Sequence, residues 1–403
     1  MTYRLALLSP IPVVCTDRGF STLDLWAVDL AEQLQVTSSL VLICPMLSNL
    51  PSEWSGHSLL PEGIQIINSK ELHTESQSEL LKECDVVQVF GGQNWRASRL
   101  GYNLISEAKR QGVTSIVGLS SNRARTALMN TVPRRFTDVP RVLRALINYC
   151  DIRLSYRRLT ATADGTFIVG DGIRSLVAKK CTNLHVGTAS WIHASDIAQA
   201  RIRLEKEVKS DHLAARRFKM CIASRLEPMK GVHIGINALA LLKKTGRRGK
   251  LTMTIFGEGK ERERLGEQVK RLGLEEQVVF GGTLAYPFPF LEQLGQHGIV
   301  VLSNLNDEQP RLIFDAISRG CIPIYPNTKA YTSIGLPSVL AYDVGNAASM
   351  AAVIEAQYQN TEHLGSLHEA LLKIAERHTL ESMHAQRAVW ITSLIRRVKV
   401  PSA

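Results

Sequence analysis

No run in this chain of 403 residues approaches the roughly 18 consecutive apolar residues of a membrane span, so the sequence predicts a soluble or peripheral protein. The opening Met1-Thr2-Tyr3-Arg4 leads straight into a strand pattern and has nothing of a secretory signal. Cysteine is sparse and unpatterned. Cys15, Cys44, Cys84, Cys150, Cys181, Cys221 and Cys321 form no Cys-x-x-Cys or paired spacing. An odd, dispersed set in mostly apolar contexts predicts reduced core thiols and a cytoplasmic compartment. Internal repeats and low-complexity tracts are lacking, and so is an Asp-x-Asp pattern of the kind that holds a divalent cation; no metal site or cofactor is expected. Acidic residues are in deficit, with 37 Asp and Glu against 48 Lys and Arg, for a formal charge of +11.

What is present is a globular composition, 45% hydrophobic, long enough for two or three domains. The first half alternates strands and helices. Tyr3 to Ser9 reads as a strand, Pro10 to Thr22 as a loop, and Leu23 to Leu34 as a helix, with Trp26, Ala27, Leu30 and Leu34 on one face. Strands follow at Leu40 to Cys44, Ile64 to Ile67, Val86 to Phe90 and Ser115 to Leu119. Such alternation predicts a parallel sheet covered on both faces. A polar, helix-like run from Asp196 to Arg217 separates the halves, which places domains at 1–196 and 197–380. Residues 381–403 form a further helical pattern through Met383, Trp390, Ile391, Leu394 and Ile395.

The second half carries the chemistry. The apolar run Phe218 to Ala223 reads as a buried strand, and Val232 to Lys244 has helical periodicity, so Arg225 and Lys230 sit in a strand-to-helix turn. Doubly wound sheets bind ligands at the carboxyl ends of their strands, where a diphosphate would meet both cations and the next helix start. A bidentate Arg and a point-charge Lys suit a leaving diphosphate. The arrangement recurs with a strand over Gly298 to Ser303, a loop over Asn304 to Pro310 and a helix over Arg311 to Ser318. Asp307 falls in that loop and Asp315 in the helix, expected on the face toward the same crevice.

These residues resemble glycosyltransferase family 4, the retaining, metal-independent nucleotide-sugar transferases. The family's Arg-x4-Lys pair maps onto Arg225 and Lys230, and its Glu-x7-Glu signature onto Asp307 and Asp315, with the neighbouring Glu308 open as the first carboxylate in a shifted register. Thr254-Ile255-Phe256-Gly257-Glu258-Gly259, Val278-Val279-Phe280-Gly281-Gly282 and Arg319-Gly320-Cys321-Ile322-Pro323 resemble further family segments in the same order.

The resemblance implies an α/β protein of the GT-B fold, two Rossmann-like doubly wound domains facing a central cleft, with a terminal helix crossing back to the first domain. It implies Arg225 and Lys230 neutralising the diphosphate, Asp307 at sugar hydroxyls and Asp315 at ribose. Gly257, Glu258, Gly259, Thr283, Leu284, Glu308, Arg311 and Leu312 would lie near the donor. Gly19 resembles part of the family's glycine loop beneath it. Ser120, Ser121 and Asn122 stand on the acceptor side, where the family often has a His and this chain has none. Pro310 occupies a position that is commonly Gly.

The activity implied is transfer of a sugar from a nucleoside diphosphate sugar to an alcohol on a glycan, a lipid-linked carrier or a small molecule. Two alternatives stay open. One is a non-catalytic subunit that keeps the fold and binds a nucleotide sugar or a partner transferase. The other is an epimerase or phosphorylase on the same fold.

The positive charge is concentrated. Residues 121–160 hold Arg123, Arg125, Arg134, Arg135, Arg141, Arg144, Arg153, Arg157 and Arg158 against Asp138 and Asp151. Val142, Leu143, Leu146 and Ile147 interleave them, the composition of a basic helix able to lie on an anionic membrane surface at the inner face of a membrane. No nucleic-acid-binding motif accompanies the charge, and no nucleic-acid partner is expected.

Overall fold

The structure is a computed structural model that describes residues 2–51, 54, 56–131, 139–209, 216, 218–244, 251–309, 311–359 and 364–399. It divides into two units, Met1–Val169 with Ile173–Gly187 and Glu381–Ala403, and Gly170–Gly172 with Thr188–Leu380. Pro310, Arg134 and Arg135 lie outside the described residues.

The first unit is built on seven strands, β1 (Tyr3–Leu8), β2 (Thr37–Cys44), β3 (Ile64–Asn68), β4 (Val86–Phe90), β5 (Thr114–Leu119), β6 (Gly165–Val169) and β7 (Leu184–Gly187). They pair in the order β3-β2-β1-β4-β5-β6-β7, all parallel. Continuous apolar runs such as Leu40-Val41-Leu42-Ile43-Cys44 are buried throughout, as a sheet covered on both faces requires. The helix Leu380–Lys399 supplies Ile391 and Leu394 to the same core as Leu5, Leu7 and Leu42. Its Trp390 stacks on His185, with ring centroids 5.2 Å apart.

One expectation fails here. Pro10 to Thr22 is not a loop but holds two strands, Val13–Thr16 and Gly19–Leu23, paired as an antiparallel hairpin with Thr16 opposite Gly19. The β-branched Val13-Val14 and Thr16 favour extended backbone, and only Asp17 and Arg18 remain to turn the chain. Gly19, at a φ of +119°, begins the second of these strands. The hairpin joins Met46–Leu47 and His57–Leu59 in a separate four-stranded sheet.

The second unit holds six strands, β8 (Lys219–Ala223), β9 (Thr252–Phe256), β10 (Val278–Gly282), β11 (Ile299–Val301), β12 (Ile322–Pro326) and β13 (Ala341–Tyr342). Their order is β10-β9-β8-β11-β12-β13, again all parallel. In both sheets the first strand lies beside the fourth, where successive connections leave in opposite directions. That reversal opens a space at the strand carboxyl ends. In the second unit it falls between β8 and β11.

Candidate functional site

The turn after β8 is fixed by glycines at close approaches. Gly231 ends the short 3-10 turn Pro228–Lys230 in the left-handed region, at a φ of +64°. A Cβ there would lie 2.1 Å from the Ser303 carbonyl oxygen. The Ser303 hydroxyl donates to the Lys230 carbonyl at 2.7 Å, and the Leu305 amide to the Met229 carbonyl at 2.9 Å. The loops leaving β8 and β11 are thus clasped together. Gly257, at a φ of +120°, would set a Cβ 2.0 Å from the Ser224 carbonyl, so the turn after β9 presses on the same loop. The Leu226 amide then donates to the Glu258 carbonyl at 2.9 Å. Gly257 and Gly259 are accounted for by this backbone packing.

A cavity of about 190 Å³ opens where the two loops meet, lined by Ser224, Arg225, Lys230, Ser303, Asn304 and Leu312 among others. Larger surface grooves exist, such as one of about 440 Å³ beside Asn237 and Leu241, but that one lies on a helix flank away from the strand ends. The Lys230 side chain is half-buried, and burial lowers its pKa from the usual lysine value, opposed by the charge of Glu308. Among the described residues no ion pair or hydrogen bond reaches its ammonium. Arg225 is exposed, its guanidinium 3.1 Å from the Glu227 carboxylate. Among the described residues the buried Ser224 hydroxyl has no hydrogen-bond partner. A cation and a hydroxyl in a small cavity can take an anion that brings its own acceptors.

The three acids of the second loop part ways. Asp307 accepts from the Ala330 amide at 3.0 Å, at the start of the helix Lys329–Thr332. The charges of Glu308 and, less strongly, Glu227 favour the protonated Lys230. Asp315, on the helix Leu312–Ser318, is buried and accepts from the Tyr286 hydroxyl at 3.1 Å. Burial pushes its carboxyl up to about 7 against the opposing pull of Tyr286, Arg311 and Arg319.

Other expected residues spread further. Arg311 lies over the Trp191 ring at 4.7 Å. Glu258 and Thr283 are exposed, and Leu284 packs against the apolar cluster that includes Phe256 and Leu291. In the first unit the Asn122 side chain accepts from the Arg125 amide at 3.0 Å, capping the helix Arg123–Thr131. The Ser121 carbonyl accepts from Tyr156, and Ser120 is exposed. Sequence reading did not single out Ser224, Ser303, Asn304 or Tyr286. Ser303 and Asn304 follow the strand beside β8, so the strand-end rule applied to both strands would have found them. Tyr286 had no local signal. Among the described residues, no group of three or more His, Cys, Asp or Glu side chains is placed to hold a metal ion.

The sequence of this segment decides between the many uses of such a sheet. Residues 205–373 match the family model of glycosyl transferases, group 1. The glycosyltransferase signal thus covers β8 to β13 and the cavity. No curated protein matches the chain closely enough to serve as a relative. Solved structures match it along nearly its whole length. HepE of Anabaena, crystallised with UDP and glucose, is 16% identical, with a TM-score of 0.61 and coverage of 97% of this chain and 100% of its own. The trehalose 6-phosphate synthase of Burkholderia multivorans is 12% identical, with a TM-score of 0.65 over 99% and 98%. The sucrose-phosphate synthase of Thermosynechococcus elongatus is 14% identical, with a TM-score of 0.64 over 99% and 100%. With its two doubly wound parallel sheets, the chain has the GT-B fold of these glycosyltransferases.

Proposed function

We propose that the chain is a retaining, metal-independent glycosyltransferase of the family 4 type that uses a nucleoside diphosphate sugar and an alcohol acceptor, glycan, lipid-linked or small. The observation that carries the reading is the Lys230 ammonium in the cavity between β8 and β11, which no ion pair or hydrogen bond reaches among the described residues, inside the segment that matches glycosyl transferases. Lys230 and Arg225 receive the diphosphate. As the bond from the anomeric carbon to the phosphate oxygen breaks, its electron pair passes to the diphosphate, and the two cations stabilise charge that is largest in the transition state. The acceptor oxygen bonds to the anomeric carbon on the face the diphosphate leaves, and its proton passes to the departing phosphate oxygen. No cofactor beyond the donor takes part. Glu308 takes the sugar-side role in place of Asp307, whose carboxylate is held by the Ala330 amide. The Ser224 hydroxyl supplies a further donor to the phosphate. A reducing cytoplasm suits the free thiols.

Lys230→Ala is expected to lower donor turnover by about a hundredfold or more, a loss typical of removing one transition-state charge contact, with the thermal midpoint unchanged. Release of nucleoside diphosphate from a panel of donor sugars measures it, and full activity in the variant refutes the assignment. One observation favours the second reading, a binding subunit without catalysis: Asp307 and Asp315 are both engaged inside the protein, with Ala330 and Tyr286. Donor binding with no turnover across the acceptor panel would select it.

A further inference from the structure

The helix Val139–Thr162 has two apolar faces, and the fold uses one. Ala145, Ile152, Tyr156 and Leu159 are buried. That face is anchored to its unit by the Ser155 hydroxyl donating to Ser98 at 2.7 Å and by Asp151 accepting from the Trp95 amide at 3.2 Å. On the opposite face Val139, Leu143 and Ile147 are 67%, 57% and 62% exposed, and Leu146 and Leu154 are exposed as well. At 100° per residue these positions fall within an arc of about 100°, a continuous stripe rather than scattered side chains. Soluble proteins seldom leave such a stripe in water.

Charge decides what covers it. Arg144, Arg157 and Arg158 are exposed on the same helix, and Arg96 and Arg99 on the helix Trp95–Gln111 packed beside it. A second copy of the chain would bring these arginines face to face with their like. Nucleic acid would meet the charge but leave the apolar stripe uncovered. A surface with anionic groups over an apolar interior satisfies both. We propose that this helix seats the protein on an anionic lipid bilayer, with Val139, Leu143, Leu146 and Ile147 entering the headgroup boundary and the arginines meeting lipid phosphates. This does not depend on the transferase reading, since it concerns a separate surface of the first unit.

The test is co-sedimentation of the full chain, without donor, with phosphatidylcholine vesicles that contain or lack phosphatidylglycerol. Binding is expected to be stronger with the anionic lipid, and raised salt should lower it toward the level seen with phosphatidylcholine alone, because ions screen the arginines but not the apolar insertion. Leu143→Ser with Ile147→Ser should lower partitioning by about tenfold or more. Both positions are exposed, so an unchanged circular dichroism spectrum and thermal midpoint keep the comparison valid. Arg144→Glu with Arg157→Glu should remove the preference for anionic lipid. Equal binding to both vesicle types, or unchanged binding by the serine variant, overturns the proposal. So does a mass that rises with protein concentration and falls in the serine variant, which would show that a second copy covers the stripe.

Discussion

A buried carboxyl at the edge of the candidate site makes the protein's stability depend on pH. The unfolded Asp315 carboxyl ionises near its ordinary 3.8, whereas burial beside Tyr286 pushes it up to about 7. Between those values the folded chain holds a proton that the unfolded chain releases, so this residue lowers stability as pH rises from 4 to 7. Asp315→Asn removes the ionisation while keeping an acceptor for Tyr286. Its melting temperature should match the wild type near pH 4 and exceed it by pH 8, by a margin on the order of a few kcal/mol in unfolding free energy. A constant difference at all pH values would show that Asp315 ionises normally. Single residues were also where the sequence said least. That the Asp307 carboxylate is held inside the protein depends on the Ala330 amide, which lies in a different part of the chain.

At the scale of elements, the loops after β8 and β11 act as one body because Gly231 lets them touch. Gly231→Ala adds left-handed strain of about 1–2 kcal/mol and forces the Ser303 carbonyl away. Chemical denaturation should show at least that loss, together with weaker donor binding, since Lys230 is the next residue. A variant as stable as the wild type would mean that the clasp gives way without cost. Elements were well marked in the sequence where local patterns sufficed. The helix Val232–Lys244 stands where periodicity put it and the strand Val278–Gly282 where the family resemblance put it, and the cation pair was legible from the turn between a buried strand and that helix. The hairpin at Val13–Leu23 was hidden because its partners, Met46–Leu47 and His57–Leu59, are short and distant. The burial of Asp315 was hidden for the same reason, its partner Tyr286 lying in another loop. The free thiols were read in part. Cys44, Cys84, Cys221 and Cys321 are buried, but Cys15 and Cys150 are exposed, because neighbours in sequence do not decide which face a residue takes.

At the scale of the molecule, the helix Leu380–Lys399 joins the first unit through a buried polar chain as well as through Ile391 and Leu394. The Asp29 carboxylate lies 3.2 Å from the His384 ring and accepts from Gln33 at 2.7 Å, and Arg387 reaches the other His384 nitrogen at 3.0 Å. Burial alone would raise the Asp29 pKa, but His384, Arg387 and Gln33 outweigh it and hold it below the ordinary value. The stabilisation is therefore present above about pH 4 and is lost as acid protonates the folded carboxylate. Asp29→Asn should cost about 3 kcal/mol or more at neutral pH, as removal of one partner from a buried charged network does, and urea unfolding should show the deficit shrinking in acid. The same helix orders events during synthesis. Ile391 and Leu394 leave the ribosome after every strand of both sheets, yet they complete the core of β1 and β2. The unit that is translated first is thus finished last, and until then it presents an open apolar face on which a chaperone can act.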